Sequence, residues 1–162
     1  LFSFMKKLFT FLFLLLLLVG NYFFLDEWKN VGKSLLDEEE TRKTGYVSKI
    51  IDGDTIVVNG EHVRLLGIDT DEKGSSCFTE AKKRIGEIIL DKEVSLEKEG
   101  KDLDQYKRQL RYIYLNGKNI NIQMVEEGLA VARFYENSRY KEEIVKAEQT
   151  ARMNKIGCKW KR

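Results

Sequence analysis

The chain has 162 residues, 43% of them hydrophobic and 33% charged, which suits one domain of ordinary size and leaves too little for a second. Lys and Arg number 28 against 26 Asp and Glu, and a net charge of +2 makes no general case for a polyanion partner, so such a case must come from placement. One histidine, His62, and two cysteines, Cys77 and Cys158, exclude four-ligand Cys/His zinc sites and any chemistry that needs two histidines.

Residues 1–25 hold Lys6-Lys7 followed by an apolar stretch from Leu8 to Leu25, broken only by Thr10, Gly20 and Asn21. This predicts an N-terminal hydrophobic helix that serves as an export signal or a membrane anchor. A bilayer core takes about 20 apolar residues, whereas a cleaved signal has about 7 to 15 followed by a small-residue site. Val19-Gly20-Asn21 leads straight back into Tyr22-Phe23-Phe24-Leu25, so the uncleaved anchor is favoured over the cleaved signal. Basic residues ahead of the stretch predict that the rest of the chain lies outside. Residues 26–44 mix six acids with four bases and read as a charged linker.

From residue 45 to 162 the pattern is that of one folded domain. Short apolar clusters, with Val47, Ile50 and Ile51, then Ile56 to Val58, then Val63 to Ile68, have the texture of strands. Asn59-Gly60 and Asn116-Gly117 mark hairpins, since both central residues of a type I′ turn need positive φ. Phe78, Ala81, Ile85, Ile88 and Ile89 recur at helical spacing, as do Tyr140, Ile144, Ala147 and Ala151, and a short helix over Ile122, Val125 and Leu129 stops at Gly128. Three strands, a helix, two strands and two more helices predict an α+β domain built on a five-stranded barrel.

Three clusters carry the chemistry: Asp52-Gly53-Asp54-Thr55, then Arg64-Leu65-Leu66-Gly67-Ile68-Asp69-Thr70-Asp71-Glu72, then Asp104-Gln105-Tyr106-Lys107-Arg108. Carboxylates with a hydroxyl or carbonyl from neighbouring strand ends suit a hard cation, and two arginines can grip one phosphate through bidentate hydrogen bonds. On spacing alone, solvated loop acids and surface ion pairs are the stronger account of these residues. His62, two residues past the Asn59-Gly60 turn, is expected on an exposed hairpin.

Taken in order, and with Gly128-Leu129-Ala130 after them, these motifs resemble the successive signatures of the staphylococcal nuclease (thermonuclease) family, over about Val47 to Trp160. The resemblance implies an OB-fold β-barrel with three helices and a Ca2+-dependent nuclease acting on DNA and RNA, preferring single-stranded or frayed substrate and leaving 3′-phosphate ends. Asp54, Asp69 and Thr70 match the Ca2+-binding positions, Thr70 through its backbone carbonyl. Arg64, Glu72 and Arg108 match the catalytic positions, with Glu72 activating or placing the water, and Tyr106 matches a residue lying along the bound nucleotide. Phe134 and Tyr135 read as base-stacking or core residues. Three departures stand out: Asp71 replaces the family's usual Pro, which adds a charge and frees a φ angle; Lys107 replaces the usual Gly, which is tolerable if that turn does not need positive φ and would help bind phosphate; and the loop from Lys73 to Ser76 is shorter than in the secreted archetype. The implied partners are DNA and RNA as substrate and the membrane through the N-terminal segment, with the chain acting as a monomer. The alternative is a non-catalytic nucleic-acid-binding module tethered at the membrane. In an exported chain Cys77 and Cys158 can pair as a disulfide, or they can stay as buried thiols.

Overall fold

In the computed structural model the described residues are 42–134 and 138–161. The hydrophobic helix, most of the charged linker and Tyr135 lie outside them. The element order is β1 (Arg42–Ile50), β2 (Thr55–Val58), β3 (Glu61–Leu65), β4 (Ile68–Asp69), α1 (Phe78–Ile89), β5 (Glu93–Leu103), β6 (Gln109–Leu115), β7 (Lys118–Asn119), α2 (Ile120–Glu126), β8 (Val131–Ala132), α3 (Lys141–Met153) and α4 (Gly157–Trp160). Among the described residues no helix is long and apolar enough to cross a membrane.

Five strands close a barrel. Antiparallel pairing runs β3-β2-β1-β5-β6, and a parallel seam between β3 and β6 completes the ring, pairing Val63 with Gln109, Arg64 with Leu110 and Leu65 with Arg111. This is the expected five-stranded α+β barrel of the OB type. Both hairpin turns form as the dipeptides predict, with φ of 51° and 85° at Asn59 and Gly60 and of 52° and 79° at Asn116 and Gly117. β7 and the β4–β8 pair are two-residue bridges too short to leave a period in the sequence.

Alternation fills the barrel. Val47, Ile56, Val63, Leu65, Tyr112 and Ile113 are buried, joined by Ala81, Ile85 and Ile89 from one face of α1 and by Ile120, Met124 and Ile144 from α2 and α3. α2 begins with Asn119, whose side chain accepts the Ile122 amide at 3.2 Å. It ends at Gly128 with φ of 64°, where Leu129 N–H bonds to Met124 and Gly128 N–H to Val125. Only glycine fits there, because a Cβ on Gly128 would collide with the backbone carbonyl of Ile156. The seam carries its own polar staple: the buried Asn121 amide donates to the Leu66 and Arg111 carbonyls at 2.9 and 3.3 Å and accepts from Ile113 N–H at 3.0 Å.

Cys77 and Cys158 form a disulfide with Cα atoms 5.3 Å apart, joining the residue before α1 to α4 across a sequence separation of 81. Of the two readings open at the sequence level, the bonded one holds.

Candidate active site

The first cluster folds on itself before β2. Asp52 accepts the Asp54 amide at 3.1 Å, a local turn that Asp favours, and Asp54 is thereby carried inward to 6% exposure. Thr55 pairs with Arg64 across β2 and β3, so Arg64 reaches the same spot from the facing strand. Its Nη1 lies 2.7 Å from Asp54 Oδ1 and its Nη2 2.8 Å from Asp69 Oδ1, at the end of β4. Thr70 donates to Asp54 Oδ2 from its amide at 2.8 Å and from its hydroxyl at 3.0 Å. Burial pushes the Asp54 carboxyl up to about 6, because desolvation outweighs the Arg64 charge and the Thr70 hydrogen bonds.

The third cluster is a turn organised by Asp104. Its Oδ1 accepts the amides of Tyr106 and Arg108 at 2.8 and 2.9 Å, and its Oδ2 takes the Arg108 Nε at 2.7 Å. Burial tends to raise the Asp104 carboxyl, but these bonds outweigh it and hold it below its ordinary range. Arg108 Nη1 donates to Thr55 Oγ1 at 3.2 Å, and Thr55 Oγ1 donates to Asp54 Oδ1 at 3.1 Å. A continuous chain of contacts thus runs from Asp104 through Arg108, Thr55 and Asp54 to Arg64 and Asp69. The β3–β6 seam makes it possible, since it sets the strand carrying Arg64 beside the strand that follows Arg108.

Five of the expected site residues, Asp54, Arg64, Asp69, Thr70 and Arg108, are therefore brought together. Tyr106 is 70% exposed and its ring stands 5.4 Å from the Arg108 guanidinium. Lys107 takes φ of 63°, so the condition under which lysine suits this turn is not met. It sits in the left-handed region that glycine enters freely and that costs other residues about 1 to 2 kcal/mol. Glu72 is exposed and its backbone carbonyl accepts the Ser75 amide at 3.0 Å; among the described residues its carboxylate makes no hydrogen bond or ion pair. Asp71 does not leave the loop loose as a replaced proline suggests: its Oδ2 accepts the Cys77 amide at 3.0 Å and its Oδ1 pairs with Lys159. Phe134 is half-buried against the core, and His62 is exposed on its hairpin.

Arg133 is the residue that sequence reasoning missed. The β4–β8 pairing sets Asp69 opposite Val131, and Arg133, two residues on, donates to Asp69 Oδ2 at 2.8 Å. Its only sequence signal is a basic residue directly after a strand too short to recognise. Arg64, Arg108 and Arg133 all line one cleft of about 440 Å³, whose other walls include Tyr106, Tyr112 and Phe134.

Among the described residues no three His, Cys, Asp or Glu side chains group closely enough to hold a metal alone. Asp54, Asp69 and the Thr70 carbonyl still make an all-oxygen donor set that fits Ca2+, a cation that fills its remaining positions with water and ligand oxygens.

Residues 62–162 match the family model described as staphylococcal nuclease homologue. The chain is 32% identical to a thermonuclease of Staphylococcus intermedius over an alignment of 133 residues, covering 72% of this chain and 75% of that protein. It is 32% identical to a thermonuclease of Staphylococcus hyicus over 76% of this chain and 78% of the other. It is 38% identical to an endonuclease of Bacillus subtilis, YncB, over 68% of this chain and 58% of that protein.

Proposed function

Because the chain belongs to the staphylococcal nuclease family, we propose that it is a Ca2+-dependent nuclease that hydrolyses phosphodiester bonds of DNA and RNA. The observation that carries this reading is the contact chain that joins Arg64 and Arg108, which line one cleft, to Asp54 and Asp69, with Thr55 as the link to Arg108. Two planar forks converging on one place suit a phosphate whose negative charge grows during attack. Arg108 spends Nε on Asp104 and Nη1 on Thr55, which leaves Nη2 for a substrate oxygen. Arg64 shares its fork between the two carboxylates and the substrate. Asp54, Asp69 and the Thr70 carbonyl would hold Ca2+, which would supply Lewis acidity when bound.

Glu72 accepts a proton from the attacking water or orients it, and an exposed carboxylate with no partner among the described residues suits that task. Asp71 is engaged by Lys159 and the Cys77 amide, which supports Glu72 over its neighbour as the base. Attack breaks the bond to the 5′-oxygen and leaves a 3′-phosphate end. Tyr106 and Lys107 lie along the substrate, the ring stacking on a base and the ammonium meeting a backbone phosphate. Single-stranded or frayed substrate is preferred, because the exposed Tyr106 ring can stack only on an unpaired base. The chain acts as a monomer, a reading supported by one chain carrying every site residue. It is exported, either anchored by residues 1–25 or released after cleavage, and the Cys77–Cys158 bond supports an oxidising destination.

The test incubates the purified chain with heat-denatured DNA and with RNA, in Ca2+ or in chelator, and identifies the new ends. Cleavage only with Ca2+, leaving 3′-phosphates, is the expected result. Binding without cleavage in either condition makes the chain a nucleic-acid-binding module instead.

A further inference from the structure

The loop that carries Glu72 is tied to the C-terminal helix at one corner by three separate links. Asp71 Oδ2 accepts the amide of Cys77 at 3.0 Å. Cys77 is bonded to Cys158. Lys159, the next residue, returns its ammonium to Asp71 Oδ1, with both side chains mostly buried at 17% and 20% exposure. The C-terminal side is itself fixed, since the Lys159 amide donates to the Gly128 carbonyl at 3.1 Å and α4 seats against the glycine turn that ends α2. On the other side of Glu72, Thr70 is held by Asp54. Among the described residues the Glu72 carboxylate has no partner of its own, so its place depends on a backbone gripped at Thr70 and Asp71.

We infer that Asp71 and Lys159 are positioning residues that set the turnover rate through Glu72, and that the Cys77–Cys158 bond locks them in place. The inference rests on the nuclease reading and names a control of that same site. A proline in place of Asp71 restrains the backbone by its ring. Here a charged clamp restrains it from outside, and the clamp is bolted by a bond that reductant can cut.

The test is a double-mutant cycle on the full chain with denatured DNA as substrate. Lys159→Met is expected to lower kcat by about tenfold to a hundredfold with KM little changed, the scale of loss that follows a small misplacement of a catalytic group. Lys159→Arg keeps most of the activity, because it restores the ion pair. In a Glu72→Gln background Lys159→Met changes kcat by less than about twofold, since independent sites multiply and coupled ones do not. Hydrogen exchange at the Cys77 amide accelerates in Lys159→Met, a readout that needs no activity. Reduction of the disulfide in the wild type lowers kcat in the same way under conditions where circular dichroism shows the barrel intact. Equal losses from Lys159→Met in both backgrounds, or unchanged exchange at Cys77, overturn the clamp. An inactive wild-type chain overturns the nuclease reading instead, before the cycle begins.

Discussion

In the proposed mechanism Glu72 and Arg108 meet the substrate in different ways, and their substitutions separate the two. Glu72→Gln keeps the shape of the side chain and removes the charge that takes a proton, so kcat on denatured DNA is expected to fall by about 10² to 10⁴. Arg108→Lys is expected to be nearly as harmful as Arg108→Ala. Asp104 and Thr55 hold two nitrogens of a planar fork, and a point charge cannot keep both bonds and offer a third to phosphate. Steady-state kinetics on both variants, with Ca2+ affinity measured alongside, checks the pair. Lys107 runs the other way. Its φ of 63° makes Lys107→Gly stabilising by about 1 kcal/mol, read as a higher midpoint in urea, while KM rises if the ammonium meets phosphate. A gain in stability with a loss in substrate binding marks a residue kept for binding at the expense of the turn.

At the scale of elements, α1 and α2 are joined by one well-formed ion pair. Arg84 on α1 makes two bonds, at 2.6 and 2.8 Å, to Glu127 at the end of α2, and Gln123 adds a third at 2.7 Å. Those hydrogen bonds, from Arg84 first, hold the Glu127 carboxyl below its ordinary 4.5. A depressed carboxyl stabilises the fold above the unfolded value and loses that contribution as pH falls through the folded one. Glu127→Gln is therefore expected to cost about 0.5 to 1 kcal/mol at pH 7, the upper range for a partly exposed pair. The difference shrinks below about pH 4.5 and vanishes in stronger acid. Urea unfolding of both proteins across pH 3 to 7 reads it directly.

The elements also show what was legible in the sequence. Asn59-Gly60 and Asn116-Gly117 name their own turns, because no other common dipeptide enters positive φ twice so readily, and Ala81, Ile85 and Ile89 name their own face. The clusters around Asp54, Arg64 and Arg108 are readable as chemistry because the family motifs preserve their order. What joins them is not readable. The parallel β3–β6 pairing links two strands that no turn connects, and the β4–β8 bridge that delivers Arg133 is two residues long on each side. The tether on Asp71 depends on Lys159, 88 residues away. Lys107 reveals its strain only through its dihedral.

For the whole molecule, the disulfide ties the start of α1 to the last helix over 81 residues. A loop of that length takes freedom chiefly from the unfolded chain, and the bond is expected to contribute about 2 to 4 kcal/mol. Urea unfolding with and without reductant, compared with a Cys77→Ser/Cys158→Ser variant, measures it, and an unchanged midpoint argues that the fold is held without it.

The parallel seam has a consequence in time as well as in space. Arg108 reaches Thr55 across 53 positions of chain, whereas Asp54, Arg64 and Asp69 all precede β6 in the sequence. A chain released from synthesis only as far as β5 holds both carboxylates and one arginine, with nothing opposite them. Long-range pairings of this kind form late, after the local hairpins have set. The ability to cut nucleic acid therefore arrives with ring closure, and an unfinished chain emerging beside the very RNA that encodes it has no completed blade.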